Sequence, residues 1–185
     1  MKDILETVAG EMQEVLSQVD ANQTVELAEK IQKANRIFIG GTGRSGLAGK
    51  MFAMRLMHSG YPVFVVGETI TPSLESGDLL LLISGSGGTA SLLHYAKKAK
   101  EIEASVALVT TNPQSAIGEY SNLIVCIPAA TKKRLEAEPK TIQPLGSQFD
   151  QSAHLVLDSM VVYLLKAYPE NRSEASLNQK HTNLE

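Results

Sequence analysis

Five short apolar runs, separated by helical patterns, constrain the fold of this sequence more than any other feature. They occupy residues 36–41, 62–67, 79–84, 105–111 and 123–128. Polar residues do not alternate with apolar ones inside the runs, which is typical of strands that are buried on both faces. Such strands with helices between them form a parallel sheet with right-handed crossovers. The sequence therefore predicts an α/β protein, a three-layer α/β/α sandwich with a five-stranded parallel sheet of the doubly wound kind.

Helical periodicity covers most of the remaining chain, because apolar residues recur there at spacings of three and four. The predicted helices are residues 3–19, 24–33, 45–58, 90–102, 149–167 and, more briefly, 115–120. A length of 185 residues suits one domain with a sizeable core. We divide residues 1–185 into N-terminal helices 3–33, a sheet core 36–128, a C-terminal helix 149–167 and a polar tail 169–185. On composition alone, the tail is typical of a frayed end.

The segment between the last strand and the last long helix, residues 129–147, has no clean period and contains two prolines. Loops longer than about 12–15 residues inside a compact domain are usually functional or mobile. We therefore expect this loop to take part in binding or to move.

Composition and charge exclude several classes of protein. The net charge is -3 at pH 7 without a basic block, so nothing indicates nucleic acid as a partner. No apolar run reaches the roughly 18 residues of a membrane span, and the N-terminus carries acids that a signal peptide lacks. Cys126 is the only cysteine and lies in an apolar run, which favours a buried core residue over a catalytic thiol. Since it cannot form an internal disulfide, we expect a reducing, cytoplasmic location.

The third apolar run ends in Ser-Gly-Ser-Gly-Gly-Thr, and a helix follows. In an open parallel sheet, ligands bind at the carboxyl ends of the strands. Glycines there let the backbone approach a ligand closely, and the free N–H groups of the first helical turn favour an anion. The hydroxyl groups of this turn add donors beside the backbone. These features predict a phosphate site built from Ser84, Ser86, Gly87, Gly88 and Thr89.

A second turn of this kind, Gly-Gly-Thr-Gly-Arg-Ser-Gly at residues 40–46, follows the first apolar run. The dinucleotide fingerprint G-x-G-x-x-G matches its glycines Gly41, Gly43 and Gly46. Glu68 stands about where that fingerprint requires an acid, so the fingerprint is not excluded. A P-loop is excluded, because neither turn ends in Gly-Lys-Ser/Thr. Two hydroxyl-bearing turns, with Ser45 in this one, suit one small phosphorylated molecule better than a nucleotide. The alternative is that the glycines only form tight turns between strand and helix.

The two turns together resemble those of the sugar isomerase (SIS) domain of phosphosugar isomerases and phosphosugar-binding regulators. Four further segments are similar to the 6-phospho-3-hexuloisomerases, which are SIS-domain enzymes of the formaldehyde-assimilating ribulose monophosphate pathway. These segments are residues 52–60, 67–78, 140–151 and 181–185, so that the resemblance covers nearly the whole chain. It implies a flavodoxin-like sandwich and a homotetramer. It also implies interconversion of D-arabino-3-hexulose 6-phosphate and fructose 6-phosphate without a metal or cofactor.

Moving a carbonyl between C3 and C2 of a sugar requires a base that reaches both carbons and a donor that serves the oxygens. Asp150, which stands where this family usually carries Glu, is the predicted base; its alternative role is that of an acid in the first turn of a helix. Glu68 and Glu75, near the end of the second run, rank below it. Gly43, Arg44 and Glu68 are further candidates for substrate contact, although Arg44 could instead pair with an acid across a subunit interface.

Histidine is the other side chain that can pass a proton near neutral pH. His94 and His154 lie inside helical patterns and His58 lies near the end of one, so that surface or packing roles suffice for them. His181 differs, because the polar tail offers it no packing partner and its segment resembles the family. We therefore predict Asp150 and His181 as the catalytic residues, with His181 acting in the pocket of its own or a neighbouring subunit.

Two other functions stay open. The family usually carries Glu where this chain has Gly88, as well as at position 150. The chain could therefore be a binding module that holds a phosphosugar without turning it over. It could also be an isomerase or lyase of another phosphosugar. Formation of fructose 6-phosphate from the hexulose phosphate is the assay that separates these alternatives.

Overall fold

The computed structural model describes residues 1–169, 174–181 and 183. Its strands are β1 Ile37–Gly41, β2 Val63–Val65, β3 Leu79–Ile83, β4 Ser105–Thr110 and β5 Leu123–Cys126. Its α-helices are α1 Lys2–Ser17, α2 Ala21–Lys33, α3 Gly43–His58, α4 Ala90–Glu101, α5 Ser147–Ala167 and α6 Glu174–Lys180. Each apolar run forms a strand, whereas residues 115–120 hold only a 3-10 turn, Gly118–Tyr120. Within the described ranges, no helix has the length and apolar character needed to cross a membrane.

The strands form one parallel sheet in the order β2-β1-β3-β4-β5. This is the strand order of the flavodoxin-like doubly wound fold, which confirms the predicted fold class. The order reverses at β1, because the chain runs from β1 to β2 on one side and then returns to β3 on the other. At such a switch point the loops after the two central strands lead apart and open a crevice at the carboxyl edge of the sheet.

Strand β3 shows why the apolar runs lack polar alternation. All five of its residues are buried, and successive side chains of a strand point to opposite faces of the sheet. Leu81 and Ile83 belong to a core that also contains residues of α2, α3 and α5. Leu80 and Leu82 belong to a second core, on the other face, with residues of α4. Since helices cover both faces, every position along the strand requires an apolar side chain.

The polar tail contains a helix, α6, that its composition did not predict. This helix contacts α3, with Lys180 Nζ lying against Gly60 just past the end of α3. The ring of His181 lies 5.3 Å from the ring of His58. The expectation that His181 has no packing partner was therefore wrong, because the C-terminal end of α3 supplies one. Part of the segment 181–185, namely residues 182, 184 and 185, lies outside the described residues.

His58 should make the stability of the fold depend on pH. Its side chain is only 4% exposed, and its pKa is lowered, first by burial and then by the nearby charges of His181 and Arg55. Once the pH falls below the ordinary histidine pKa of 6.5, the unfolded chain binds more protons than the folded protein. We therefore expect the contribution of His58 to stability to be present above that pH. It should be lost progressively between 6.5 and the lowered folded-state pKa.

Thermal unfolding of wild type and of His58→Phe, followed from about pH 8 down to pH 5, tests this expectation over the range in which histidine titrates. The midpoint of the wild type should fall relative to that of the variant as the solution becomes acidic. His94→Asn, which removes an exposed histidine, should follow the wild type. Parallel curves for wild type and His58→Phe would contradict the prediction.

Candidate active site

A cleft of about 250 Å³ opens at the carboxyl edge of the sheet, where β1 and β3 end. The turn after β1, the turn after β3, the loop after β5 and the first turn of α5 line it. The predicted site residues that line this cleft are Ser45, Ser84, Ser86, Thr89 and Asp150. The two turns that the sequence singled out therefore meet at one cavity, together with the predicted base.

Three helices begin at this cleft, and none of them has a side-chain cap. Their N-cap residues, Thr42 of α3, Thr89 of α4 and Gly146 of α5, all line the cleft. By contrast, the Asp20 side chain caps α2 by accepting a hydrogen bond from the Asn22 amide. The first N–H groups of an uncapped helix are left for a ligand. Three positive helix ends that converge on one space favour an anion such as phosphate.

The turn after β3 is shaped to present its backbone to the cleft. Ser84 is buried, and its hydroxyl lies 3.4 Å from the Thr89 hydroxyl. Gly87 has a φ of +61°, and a Cβ there would overlap the Ser115 hydroxyl, so that only glycine fits. A Cβ on Gly88 would meet nothing closer than 3.9 Å. The turn therefore depends on Gly87, whereas the position of Gly88 has room for a Cβ.

Packing alone accounts for two glycines of the turn after β1. A Cβ on Gly41 would lie 2.9 Å from Gly46 Cα, and a Cβ on Gly46 would lie 2.7 Å from the Gly41 carbonyl oxygen. The end of β1 and the start of α3 thus approach each other backbone to backbone. Gly43 differs, because its φ is +56° and the space where a Cβ would point is open. The alternative of a tight structural turn therefore holds for Gly41 and Gly46.

Asp150 lies in the first turn of α5 and is held by two donors from the start of α3. The Ser45 hydroxyl donates to its Oδ1 at 2.7 Å, and Arg44 Nε donates to its Oδ2 at 3.2 Å. The Asp150 side chain is 12% exposed, whereas that of Arg44 is 60% exposed. The carboxylate is therefore fixed in direction at the wall of the cleft, as a proton-abstracting base requires. Ser45 was expected to bind the phosphate, but its hydroxyl donates to Asp150. The position of Ser45 therefore suits a residue that orients this carboxylate.

The two acids ranked below Asp150 lie apart from the cleft. Glu68 Oε1 accepts a hydrogen bond from Lys50 Nζ at 2.5 Å, and both side chains are about half exposed. Glu75 Oε2 lies 3.3 Å from the guanidinium of Arg36. Each of these carboxylates has a cationic partner at the surface, and neither lines the cleft.

His181 does not reach the cleft of its own chain. It lies beside His58, and His58 comes thirteen positions after Ser45 in α3, which is about 20 Å along a helix axis. A role of His181 in the cleft of a neighbouring subunit stays a prediction. His154 lies nearer to the site, because it lines a small hollow between α3 and α5 together with Arg44 and Asp150.

Sequence reasoning expected the loop after β5 to bind or move but missed the residues through which it contributes. Thr131, Lys132 and Lys133 of this loop line the cleft, so that two cationic side chains face the space where the helix ends converge. Lysine is a common phosphate ligand because its ammonium group acts as a mobile point charge. The available signal was the length of the loop 129–147, which indicates function without naming the residues that carry it.

A second cavity of about 360 Å³ shares Ser86, Thr131 and Lys133 with the cleft and includes Cys126 in its wall. Burial raises the pKa of the Cys126 thiol, which disfavours the thiolate that a nucleophile requires. Cys126 is only partly buried, so the expectation of a buried core residue was wrong. In the described part of the chain, His, Cys, Asp and Glu side chains form no group of three or more that could hold a metal ion.

Uncapped helix ends, hydroxyl-bearing turns and a fixed carboxylate are the features of an α/β protein whose cleft suits a small anionic ligand. Residues 30–155 match the family model of the SIS domain. The chain belongs to the SIS-domain family.

Relatives and solved structures narrow this assignment. The chain is 39% identical to a 3-hexulose-6-phosphate isomerase of Bacillus subtilis, over 96% of this chain and 95% of that protein. It is 40% identical to a 3-hexulose-6-phosphate isomerase of Mycobacterium gastri, over 98% of this chain and 89% of that protein. A crystal structure of a Methanococcus jannaschii protein, described as inferring a molecular function of 3-hexulose-6-phosphate isomerase, matches with a TM-score of 0.84 at 36% identity and full coverage of both chains. These similarities confirm the resemblance drawn from the two turns and the four segments.

Proposed function

We propose that this protein is an isomerase that interconverts D-arabino-3-hexulose 6-phosphate and fructose 6-phosphate through an enediol. The relatives named 3-hexulose-6-phosphate isomerase extend over nearly the whole chain. The observation in the structure that carries the proposal is one cleft that combines uncapped helix N-termini with a fixed carboxylate. The uncapped N-termini suit a phosphate, and Asp150 in the same lining supplies the base.

The reaction requires the carbonyl of the sugar to move from C3 to C2. Asp150 takes the proton from C2 while O3 gains a proton, which leaves a 2,3-enediol. The same carboxylate then returns its proton to C3 while O2 loses a proton and the carbonyl forms at C2, so that protons gained and lost by the oxygens cancel. Ser45 and Arg44 hold the carboxylate in place through both of its oxygens. Holding the phosphate at a fixed site beside this base places C2 and C3 within its reach, which is the positioning effect that enzymes exploit.

The charge of the loop after β5 complements this arrangement. Lys132 and Lys133 line the same cleft as Asp150. A dianionic phosphate would otherwise be repelled by the carboxylate inside one cavity, and nearby cations offset that repulsion. We infer that the substrate phosphate lies between the turn after β3 and these lysines. Homotetramer assembly remains what the family resemblance implies, and a cytoplasmic location remains a prediction from the sequence.

Ser84→Ala tests the phosphate site. A hydrogen bond from a neutral donor to a charged group is worth about 1.5–3 kcal/mol, so its loss should weaken binding of fructose 6-phosphate by roughly 10- to 150-fold. Titration calorimetry measures the affinity, and the thermal midpoint should change little. Ser76→Ala, an exposed serine at the amino end of β3 and therefore at the opposite edge of the sheet, is the matched control. Wild-type affinity in a folded Ser84→Ala protein would rule the site out.

A non-catalytic phosphosugar-binding module is the second candidate, and isomerisation or lysis of another phosphosugar is the third. Gly88 and Asp150, which replace the Glu residues of the family, are what favours them. A coupled assay for fructose 6-phosphate formed from the hexulose phosphate decides among the three. Turnover supports the proposed isomerase. Binding of fructose 6-phosphate without turnover supports the module, and turnover of a different phosphosugar alone supports the third function.

A further inference from the structure

The loop that carries Lys132 and Lys133 is folded around a carboxylate of its own. Glu138 accepts hydrogen bonds from the backbone N–H and the hydroxyl of Thr131, at 2.9 and 2.5 Å. It also accepts one from the Leu135 amide at 3.3 Å. Glu138 thereby closes the part of the loop that contains the two lysines. This closure shapes the lysine-bearing part but does not attach it to the body of the protein.

A second carboxylate, from outside the region that matches the family model, attaches the loop. Glu11 of α1 accepts hydrogen bonds from the Thr141 hydroxyl at 2.5 Å, the Ile142 amide at 2.8 Å and Gln143 Nε2 at 2.8 Å. The family model begins at residue 30, so α1 lies outside it. Three consecutive loop residues are thus bound to one side chain that is about 130 residues away in sequence.

These contacts continue towards the predicted base. Gln143 is buried, and its Oε1 accepts a hydrogen bond from Gln151 Nε2 at 2.6 Å. Gln151 follows Asp150 in α5. On the other side, Arg134 donates to the carbonyl oxygen of Gln143, which links the lysine-bearing part of the loop to the attached part. Glu11 is therefore the point at which the loop, its lysines and the start of α5 are tied to α1.

The ionised form of Glu11 is the one that this arrangement stabilises. Burial by itself raises its pKa, but hydrogen bonds from Thr141, Gln143 and Ile142, with the nearby charge of Arg134, outweigh burial and leave the pKa lowered. A carboxylate offers acceptors to all three donors, whereas the amide of a glutamine would turn an NH2 group towards one of them. Replacing Glu11 by glutamine should therefore release the loop while keeping a side chain of nearly the same size at this position.

We propose that Glu11 is a positioning residue that holds the loop 131–143 over the cleft so that Lys132 and Lys133 face the substrate phosphate. The inference rests on the proposed function for the identity of the ligand, while the attachment of the loop can be measured without it. Only molecules whose loop is in place then bind the phosphate with full affinity. When a substitution lowers the fraction of such molecules, the apparent affinity falls in proportion.

Glu11→Gln should raise KM for the hexulose phosphate, and the dissociation constant for fructose 6-phosphate, by about tenfold. Turnover at saturating substrate should change less than about threefold, because Asp150 keeps both of its donors. Glu14→Gln, which removes the same charge from an exposed position one turn further along α1, should match the wild type. If Glu11→Gln instead lowered kcat by about tenfold and left KM unchanged, the proposal would be overturned.

Limited digestion with trypsin tests the attachment independently of activity. Lys132, Lys133 and Arg134 offer cleavage sites within the loop, and cleavage of a loop follows the population that is open. Glu11→Gln should be cut there about tenfold faster than wild type and Glu14→Gln. Thr141→Val, which removes one donor from the loop side, should also speed cleavage. The double variant Glu11→Gln/Thr141→Val should be cut less fast than the sum of the two single effects predicts. The reason is that both substitutions disrupt the same contact, between Thr141 and Glu11.

The outcomes separate the two proposals. If wild type neither binds fructose 6-phosphate nor turns over the hexulose phosphate, the proposed function fails, whatever trypsin reveals. If wild type is active but Glu11→Gln keeps the wild-type KM and the wild-type cleavage rate, the role of Glu11 fails and the isomerase stands. Additive effects of Glu11→Gln and Thr141→Val on cleavage would likewise show that the two residues do not act through one contact.

Discussion

Asp150→Asn should lower the rate of hexulose phosphate isomerisation by about 100- to 10,000-fold, as expected when a general base is lost. The asparagine side chain has nearly the same shape, and its carbonyl oxygen can still accept the hydrogen bond that Ser45 donates to Asp150. It cannot, however, take a proton from carbon. The affinity for fructose 6-phosphate should therefore stay close to that of the wild type. Steady-state kinetics and titration calorimetry on the same preparation measure both quantities.

Asp150→Glu provides the complementary test. Aspartate is shorter than the Glu of the family by one methylene, or about 1.5 Å of reach, and misplacement of this size can cost on the order of 100-fold in rate. The longer side chain should keep or raise the activity. Asp158→Asn, which removes an exposed carboxylate two turns further along α5, is the matched control and should leave the rate unchanged. A fully active Asp150→Asn protein would end the assignment of this base.

The fold could be predicted because its layers impose a local pattern on the sequence. β3 is buried on both faces, so its five residues are all apolar, and the same holds for most of the neighbouring strands. β2, one of the two edge strands, is the least regular case. The run at 62–67 contains only three residues of strand, Val63–Val65, and these are half-buried. A strand with one neighbour has fewer partners, which allows it to be short.

From the residue pattern alone, the site could be predicted only where the backbone itself carries the function, whereas Asp150 was found through the family resemblance. Turns that end a buried strand and begin a helix are visible in sequence, and both such turns line the cleft. The partners of Asp150 were not visible, because Arg44 and Ser45 lie more than 100 residues away in the chain. The attachment of the loop to Glu11 was not visible in the sequence either, because it depends on where α1 packs. A polar side chain in a loop or on a helix surface carries no periodicity, so its contacts appear only with the fold.

The position of His181 limits how it can serve catalysis. The imidazole is exposed, with one neighbour in the buried ring of His58, and it lies about 20 Å along α3 from the cleft of its own chain. A contribution to the reaction must therefore be made in the cleft of a neighbouring subunit. An imidazole can both donate and accept a proton through its ring nitrogens, which suits ring opening of fructose 6-phosphate or transfer to an enediol oxygen.

His181→Ala should therefore lower the rate by about 100- to 10,000-fold, the usual effect of losing an acid–base group. Mixed oligomers reveal where the residue acts. When His181→Ala and Asp150→Asn chains are unfolded together and refolded in equal amounts, about one cleft in four should combine an intact Asp150 with an intact His181 from a neighbour, provided that subunits assemble at random. Activity should then rise towards about a quarter of the wild-type rate. As a control, the two variants are refolded separately and mixed only afterwards, which should leave the activity low. A normal rate for His181→Ala, or mixed oligomers as inactive as their parents, would remove His181 from the reaction and leave it the structural partner of His58.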